Sequence, residues 1–246
     1  MAPVVLTSAE RPDRSDLDEL HEIWPEYNLH GDVLNRYWRR LYDDLPEFQF
    51  VLYDEEEGVV LAEGHTIPFA WDGTEEGLPA GIDGVVADGF RLRDEGGAPT
   101  ALSALAIEIH PKAQGRGVSR TMIEAMTRIA RERGLPNLVA PLRPTWKERY
   151  PLTPIERYAA WTGDDGLPFD PWLRTHVRLG GELLRPEPRS LRITGTVGEW
   201  EEWVGMPFPE SGEYVFPHGL APLEVDREAD LGTYYEPNVW ARHRVD

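Results

Sequence analysis

The stretch Ile107-Glu-Ile-His-Pro-Lys-Ala-Gln-Gly-Arg-Gly-Val-Ser-Arg-Thr121 decides how this chain is read. It begins as the end of an apolar strand, Ala101 to Ile109. Leu105, Ile107 and Ile109 take one face of that strand, and Ala104, Ala106, Glu108 and His110 take the other. It ends in an amphipathic helix from about Val118, whose stripe Val118, Met122, Ala125, Met126 and Ile129 runs to a glycine stop at Gly134. Between them, Gly115 and Gly117 permit positive φ and close backbone approach just before the helix. The first N–H groups of a helix have no internal acceptor, and its dipole favours an anion by roughly 0.3–1 kcal/mol. Ser119, Arg120 and Arg116 can add donors and charge, so the stretch predicts an anion-binding loop.

Two nucleotide fingerprints do not fit. A Walker loop would end in Gly-Lys-Ser/Thr, and a dinucleotide Gly-x-Gly-x-x-Gly would need Gly or Ala where Arg120 stands. A bare Gly-x-Gly is a weak signal, for which a plain tight turn is the better reading. The larger pattern, a strand, Ile109-x-Pro111, Gln114-Gly-Arg-Gly-Val-Ser119 and then a helix, resembles the acyl-CoA-binding motif of the GNAT superfamily of N-acyltransferases, Arg/Gln-x-x-Gly-x-Gly/Ala. Gln114 and Gly117 match, and Ser119 replaces the final Gly or Ala. The resemblance implies that Gln114, Gly115, Arg116, Gly117, Val118, Ser119 and Arg120 hold the CoA pyrophosphate, with the backbone around Ile109 facing the pantetheine. It also implies an α/β (α+β) fold, with a mixed, mostly antiparallel sheet flanked by helices.

Composition sets the outer limits. The 246 residues carry 25 Lys and Arg against 44 Asp and Glu, a net charge of −19, and no cysteine. Disulfides, thiolate metal sites and a Cys nucleophile are excluded. The acidic balance opposes a phosphate backbone, so nucleic acid is not an expected partner. Neither a signal peptide nor an apolar run of membrane-spanning length is recognisable, so a cytoplasmic protein off the membrane is expected. Between His110 and Arg149, nine Lys and Arg face three Glu, a surplus of +6 that leaves −25 for the rest. That island is either a solvated helix face or the surround of the anion loop.

Reading outward, Ser15 is a candidate N-cap for a helix stopping at Pro25, and a second helix is predicted from about Gly31 through Leu41. Phe48 to Tyr53 alternates as a strand, and a second strand runs from Val59 to Ile67 with a break near Pro68. Residues 72–100 contain seven glycines and read as a long loop or irregular hairpin. Asn137 to Leu142 is a short strand, and a short helix is expected near Asp170 to Leu179. The connection from Arg143 to Asp170 reads as a lid or as an ordered surface excursion held by Tyr150, Tyr158 and Trp161. The remainder, including Glu199-Trp-Glu-Glu-Trp203, reads as short strands and loops. With no repeat and no linker, one domain over 1–246 is expected, with an insertion around 143–170 and an extended segment around 186–246.

Acyl transfer from a thioester to an amine needs a neutral amine, an oxyanion donor and a donor for the departing thiolate. The family often uses a Tyr for the last, four residues before a Gly. In Thr175-His-Val-Arg-Leu-Gly180 that place belongs to His176, which could donate a proton near neutral pH. Glu108 is the candidate base, its pKa raised by burial, and Glu63 with His65 on the preceding strand offers a second choice. The seven histidines include no short-spaced ligand pair, so no metal is expected. Trp161 and Trp172 could wall a substrate pocket, while Trp200 and Trp203 suit a core or interface. The reading is therefore direct transfer of an acyl group, expected to be acetyl, from acetyl-CoA or another acyl-CoA to a primary amine of a small acceptor, with the acidic balance outside the basic island suggesting a cationic one. The rivals are a non-catalytic acyl-CoA-binding sensor or assembly module, and a different nucleotide binder.

Overall fold

In the computed structural model, which describes residues 3–11 and 20–245, the chain is organised around one twisted sheet. Strand β1 (Val4–Thr7) is its edge. The proposed first helix lies mostly outside the described residues, and its described end, His21–Ile23, is a single 3-10 turn. Helix α1 (Leu34–Asp44) follows, starting three residues later than its expected origin at Gly31. Strands β2 (Gln49–Asp54) and β3 (Val59–Phe69) form the predicted hairpin. β3 runs through Pro68, which pairs with Leu102, so the break expected there does not occur; the irregularity is a bulge between His65 and Thr66.

The turn-rich reading of 72–100 is wrong at its centre. Gly81–Asp94 is helix α2, with Val85, Val86 and Phe90 fully buried. Glycine costs about 1 kcal/mol in a helix interior relative to Ala, which hid the periodicity. One of these glycines has a packing reason: a Cβ on Gly89 would stand 2.6 Å from Ile67 Cδ1 and 3.0 Å from the Pro68 carbonyl oxygen. The helix thus lies on β3 at backbone distance.

Strand β4 (Ala101–Ile109), helix α3 (Val118–Glu132) and strand β5 (Asn137–Leu142) occur at the expected positions. The 143–170 excursion includes helix α4 (Ile155–Ala159) and is packed rather than open. Tyr150, Tyr158, Trp161 and Phe169 form one ring cluster. Buried Asp170 accepts from the Trp146 N–H and the Tyr158 hydroxyl, and caps helix α5 (Pro171–Arg178) through the Trp172 and Leu173 N–H groups. Lys147, read only as part of the basic island, is buried with its Nζ donating to the carbonyls of Tyr150 and Leu220.

The C-terminal third departs most from the sequence reading. Its main elements are two long strands, β6 (Glu182–Gly195) and β9 (Leu231–Arg244), paired antiparallel along most of their length. Two register shifts absorb the Pro186 and Pro188 region, which fragments β6 when read locally. Helix α6 (Val197–Val204), with a Thr196/Glu199 capping box, and the short strands β7 (Gly212–Tyr214) and β8 (Leu223–Asp226) complete the chain. Trp200 is fully buried, and Trp203 stacks on His30 at 4.1 Å.

Among the described residues the strand order is β1-β2-β3-β4-β5-β9-β8-β7, with β6 on the other edge of β9. Every pairing is antiparallel except β4 with β5. The expected fold class is therefore the observed one: a mixed, mostly antiparallel sheet flanked by helices. No helix among the described residues is long and apolar enough to cross a membrane.

Candidate active site

The parallel pairing of β4 and β5 is limited to Leu102 with Leu138 and Ser103 with Val139. Beyond Ser103 the two strands part. A cleft of about 980 Å³ opens there, walled by Ala104–Ile109 on one side and Ala140–Leu142 on the other. Splaying exposes backbone N–H and C=O groups that a closed sheet would pair, which is a way to present main-chain donors to a ligand.

The predicted loop sits at one end of this cleft. Gly115 (φ 75°) and Gly117 (φ 79°) are both left-handed, and nothing stands within 4 Å of where their Cβ atoms would be. Conformation, not crowding, demands glycine there. Gly117 is the N-cap of α3 and no side chain caps the helix, so its first N–H groups remain available. Of the sequence-predicted binding residues, Ile109, Gln114, Gly115 and Ser119 line the cleft. Val118 points into the core, so only its backbone is on offer. Arg120 faces instead a second, smaller cavity of about 590 Å³, together with Arg131, Arg178, Arg242 and Arg244. Two members of the basic island, Arg120 and Arg131, thus meet three arginines from outside it at that second cavity.

Glu108 lines the cleft, is buried, and stands directly opposite Glu63 across the β3–β4 ladder. Trp24 Nε1 donates to its Oε1, and its Oε2 lies 3.7 Å from His65 Nε2. Burial pushes the Glu108 carboxyl up, but His65, Trp24 and a hydrogen bond with Glu63 outweigh it and hold the group below its ordinary value. The expectation of a raised pKa is corrected: the neighbours win over desolvation. His65 is covered by Trp38 and Tyr42 of α1. His110 is placed differently, its Nδ1 accepting from the Lys112 N–H in the turn after β4.

Glu63, His65 and Glu108 also have ligand atoms within 4.8 Å of one another, the spacing of a three-ligand metal set. Spacing along the chain could not show this, because the third member arrives from a neighbouring strand.

His176, on α5, lines the cleft and is buried. Its Nδ1 lies 2.9 Å from His243 Nε2, Trp172 meets its ring edge-on at 4.5 Å, and its Nε2 has no protein partner. Burial, and then His243, push its pKa down to about 3. The expectation of a histidine that ionises near neutrality is therefore corrected: His176 is neutral there, an N–H donor rather than an imidazolium. Trp172 does line the cleft, whereas Trp161 belongs to the aromatic cluster of the excursion.

Sequence reasoning missed a polar group on β9. Glu236 and Asn238 line the cleft, and Arg143 at the end of β5 places Nε 3.1 Å from Glu236 Oε2. The Arg143 Nη2 donates to the Tyr27 hydroxyl and the His218 carbonyl. Burial raises the Glu236 pKa, with Arg143 and Tyr234 opposing. The available signal was the period-two run Tyr234, Glu236, Asn238.

No family model matches the chain. A curated relative does: the arginine N-acetyltransferase avaD of Aspergillus versicolor is 30% identical, over 97% of this chain and 93% of that one. This chain belongs to the GNAT superfamily of acyl-CoA-dependent N-acyltransferases. Solved structures agree on the fold. The GphF GNAT-like decarboxylase in complex with isobutyryl-CoA superposes with a TM-score of 0.61 at 19% identity, over 99% of this chain and 100% of that one. The loading GNATL domain of CurA from Lyngbya majuscula gives 0.56 at 14%, over 100% and 98%.

As a GNAT enzyme the chain is an acyl-CoA-dependent N-acetyltransferase acting on a small molecule. The cleft brings together a helix start with no side-chain cap, a carboxylate held below its ordinary value and a neutral imidazole.

Proposed function

We propose that the cleft between β4 and β5 is the transfer site, and that the chain moves acetyl from acetyl-CoA to an amine of a basic, arginine-like small molecule. The observation that carries this is the parting of the sheet beyond Ser103 and Val139, which opens the cleft between the anion-receptive loop and His176. In this reading the pyrophosphate rests on Gln114, Gly115, Arg116, Gly117, Val118 and Ser119, largely through backbone N–H groups; Arg120 is not among them, since its side chain faces the second cavity and its N–H donates to the Gly117 carbonyl. The pantetheine runs past Ile109, and the thioester lies within reach of His176. Transfer is direct, since no cysteine is present to carry the acyl group.

Glu108 takes the proton from the acceptor's ammonium, directly or through a water. It is suited to that because it stays ionised at any pH where the amine is to be deprotonated. His176 donates its N–H to the departing thiolate. The preference for a cationic acceptor is supported by two carboxylates in the cleft, Glu108 and Glu236, and by the activity of the 30% identical relative. Arg143 beside Glu236 supplies a cation for an acceptor's carboxylate. We read the whole chain as one catalytic domain.

Steady-state release of CoA thiol tests this directly, with acetyl-CoA and a panel of arginine, lysine, a polyamine and uncharged amines. Turnover is expected with arginine-like acceptors well above the uncharged ones, with mass spectrometry locating the acetyl group. Equal turnover of neutral and cationic amines would remove the cationic-acceptor reading. Acetyl-CoA binding by calorimetry with no thiol release from any amine would overturn the assignment of acceptor class altogether.

A further inference from the structure

The mechanism above uses His176 but leaves its partner unexplained. His243 arrives from the last strand, 67 residues away, and brings its Nε2 to 2.9 Å from His176 Nδ1. Both rings are buried. The approach is built into the backbone: a Cβ on Gly181 would lie 2.8 Å from both Cε1 and Nε2 of His243, and 2.7 Å from the His176 carbonyl oxygen. Only a residue without a side chain lets the two rings meet there. Gly181 also donates its N–H to that same carbonyl at 2.8 Å, which locks the turn after α5.

Two neutral imidazoles sharing one hydrogen bond admit two arrangements. Either His176 Nδ1 carries the proton, leaving a lone pair at Nε2, or His243 Nε2 carries it and His176 is protonated at Nε2. A lone pair at Nε2 would repel a thiolate, whereas an Nε2–H would bind one. The surroundings of the two rings differ in the same sense. His243 also lines the second cavity, where water can accept or donate at its remaining nitrogen. His176 Nε2 is buried with no protein partner, so a proton there serves only what enters the cleft.

We infer that His243 is a positioning residue: its Nε2–H donates to His176 Nδ1 and fixes His176 in the tautomer whose Nε2–H faces the departing sulfur. The inference rests on the assignment of His176 as the thiolate's donor. In the step it serves, the amine nitrogen forms the new C–N bond, the C–S bond breaks, and its electron pair goes to sulfur. Glu108 passes the ammonium's proton on to water and takes the second proton, which the nitrogen loses as the amide forms; CoA leaves as a thiolate hydrogen-bonded by His176, so no proton is lost from either imidazole.

The test joins single-turnover kinetics on three variants with nitrogen-15 NMR of the histidine rings in the wild-type protein. His176→Phe is expected to slow acetyl transfer about 100-fold. His243→Leu, which has no donor, should approach that loss while the KM for acetyl-CoA stays within about twofold. His243→Gln, whose amide N–H can donate to Nδ1, should recover most of the rate. The wild-type spectrum should show His176 protonated at Nε2. A His176→Phe variant with unchanged rate would overturn the donor assignment itself, and this inference with it. A slow His176→Phe beside a His243→Leu of wild-type rate, or a wild-type His176 protonated at Nδ1, would overturn the role of His243 alone. The spectrum decides the point even if His243→Leu does not fold.

Discussion

Glu63 and Glu108 face each other directly across β3 and β4, both buried, with His65 Nε2 3.7 Å from Glu108 Oε2. Like charges directly opposite in a sheet are destabilising, and Glu108 has neighbours that oppose that cost: Trp24 Nε1 donates to its Oε1 and His65 stands beside its Oε2. Glu108, lowered by its neighbours, stays ionised toward the cleft.

That asymmetry separates two isosteric substitutions. Glu108→Gln removes the base and should lower kcat by about 10²–10⁴ with acetyl-CoA affinity unchanged. Glu63→Gln retains an N–H that can donate to Glu108 and should leave kcat within about threefold. Because the Glu108 carboxyl lies below its ordinary value, its protonation should produce no fall in activity above about pH 5. Steady-state kinetics of both variants over pH, with calorimetric titration of acetyl-CoA, checks all three statements.

Gly117 and Gly134 stand at the two ends of α3 with φ of 79° and 69°, and neither has an atom near its missing Cβ. Replacing either with Ala should cost about 1 kcal/mol of stability through the left-handed backbone alone. Only Gly117→Ala should also weaken acetyl-CoA binding, by about tenfold, because it deforms the loop. Equal CoA affinity in the two variants would separate the loop from the ligand.

Gly89 is where α2 meets β3. Gly89→Val should destabilise by about 1–3 kcal/mol or more, since the new side chain meets Ile67 and the Pro68 carbonyl. Denaturant titration measures it, and a neutral result would contradict the close approach of helix and strand.

Asp83, on α2, accepts from the Arg192 and Leu34 N–H groups, and burial raises its pKa to about 6. A carboxyl raised in the folded state is stabilising while it holds its proton, and that contribution is lost as pH rises from about 4, the unfolded value, to about 6. Asp83→Asn should therefore gain about 1–2 kcal/mol over wild type above pH 6 and little at pH 4. Urea unfolding at both pH values gives the difference.

Arg143 and Glu236 form a pair whose members belong to β9 and to the end of β5. Arg143→Met leaves Glu236 buried beside no cation and should cost about 3–5 kcal/mol, while the double change with Glu236→Leu should recover much of it. Thermal unfolding of the three proteins checks the coupling.

How legible the site was depended on whether its parts were local. The loop from Gln114 to Ser119 and helix α3 could be read because strand period, glycine and helix period lie within thirty residues of one another. Helix α2 could not, because its glycines weaken the local signal and the packing of Gly89 against Ile67 that compensates is long-range. The strands β6 and β9 were hidden for a related reason: prolines interrupt one of them, and only pairing across the sheet shows that it continues.

By itself, then, the sequence determined that an apolar strand passes through two glycines able to take positive φ into an amphipathic helix, since those features need only neighbouring residues. It also determined which side chains were available for proton chemistry. The tertiary structure alone decided what those side chains are. Glu108 is held ionised by His65, Trp24 and Glu63, and His176 is held neutral by burial and His243. Protonation follows from desolvation and from partners within a few ångströms, and those are fixed by strand register between residues far apart in the chain.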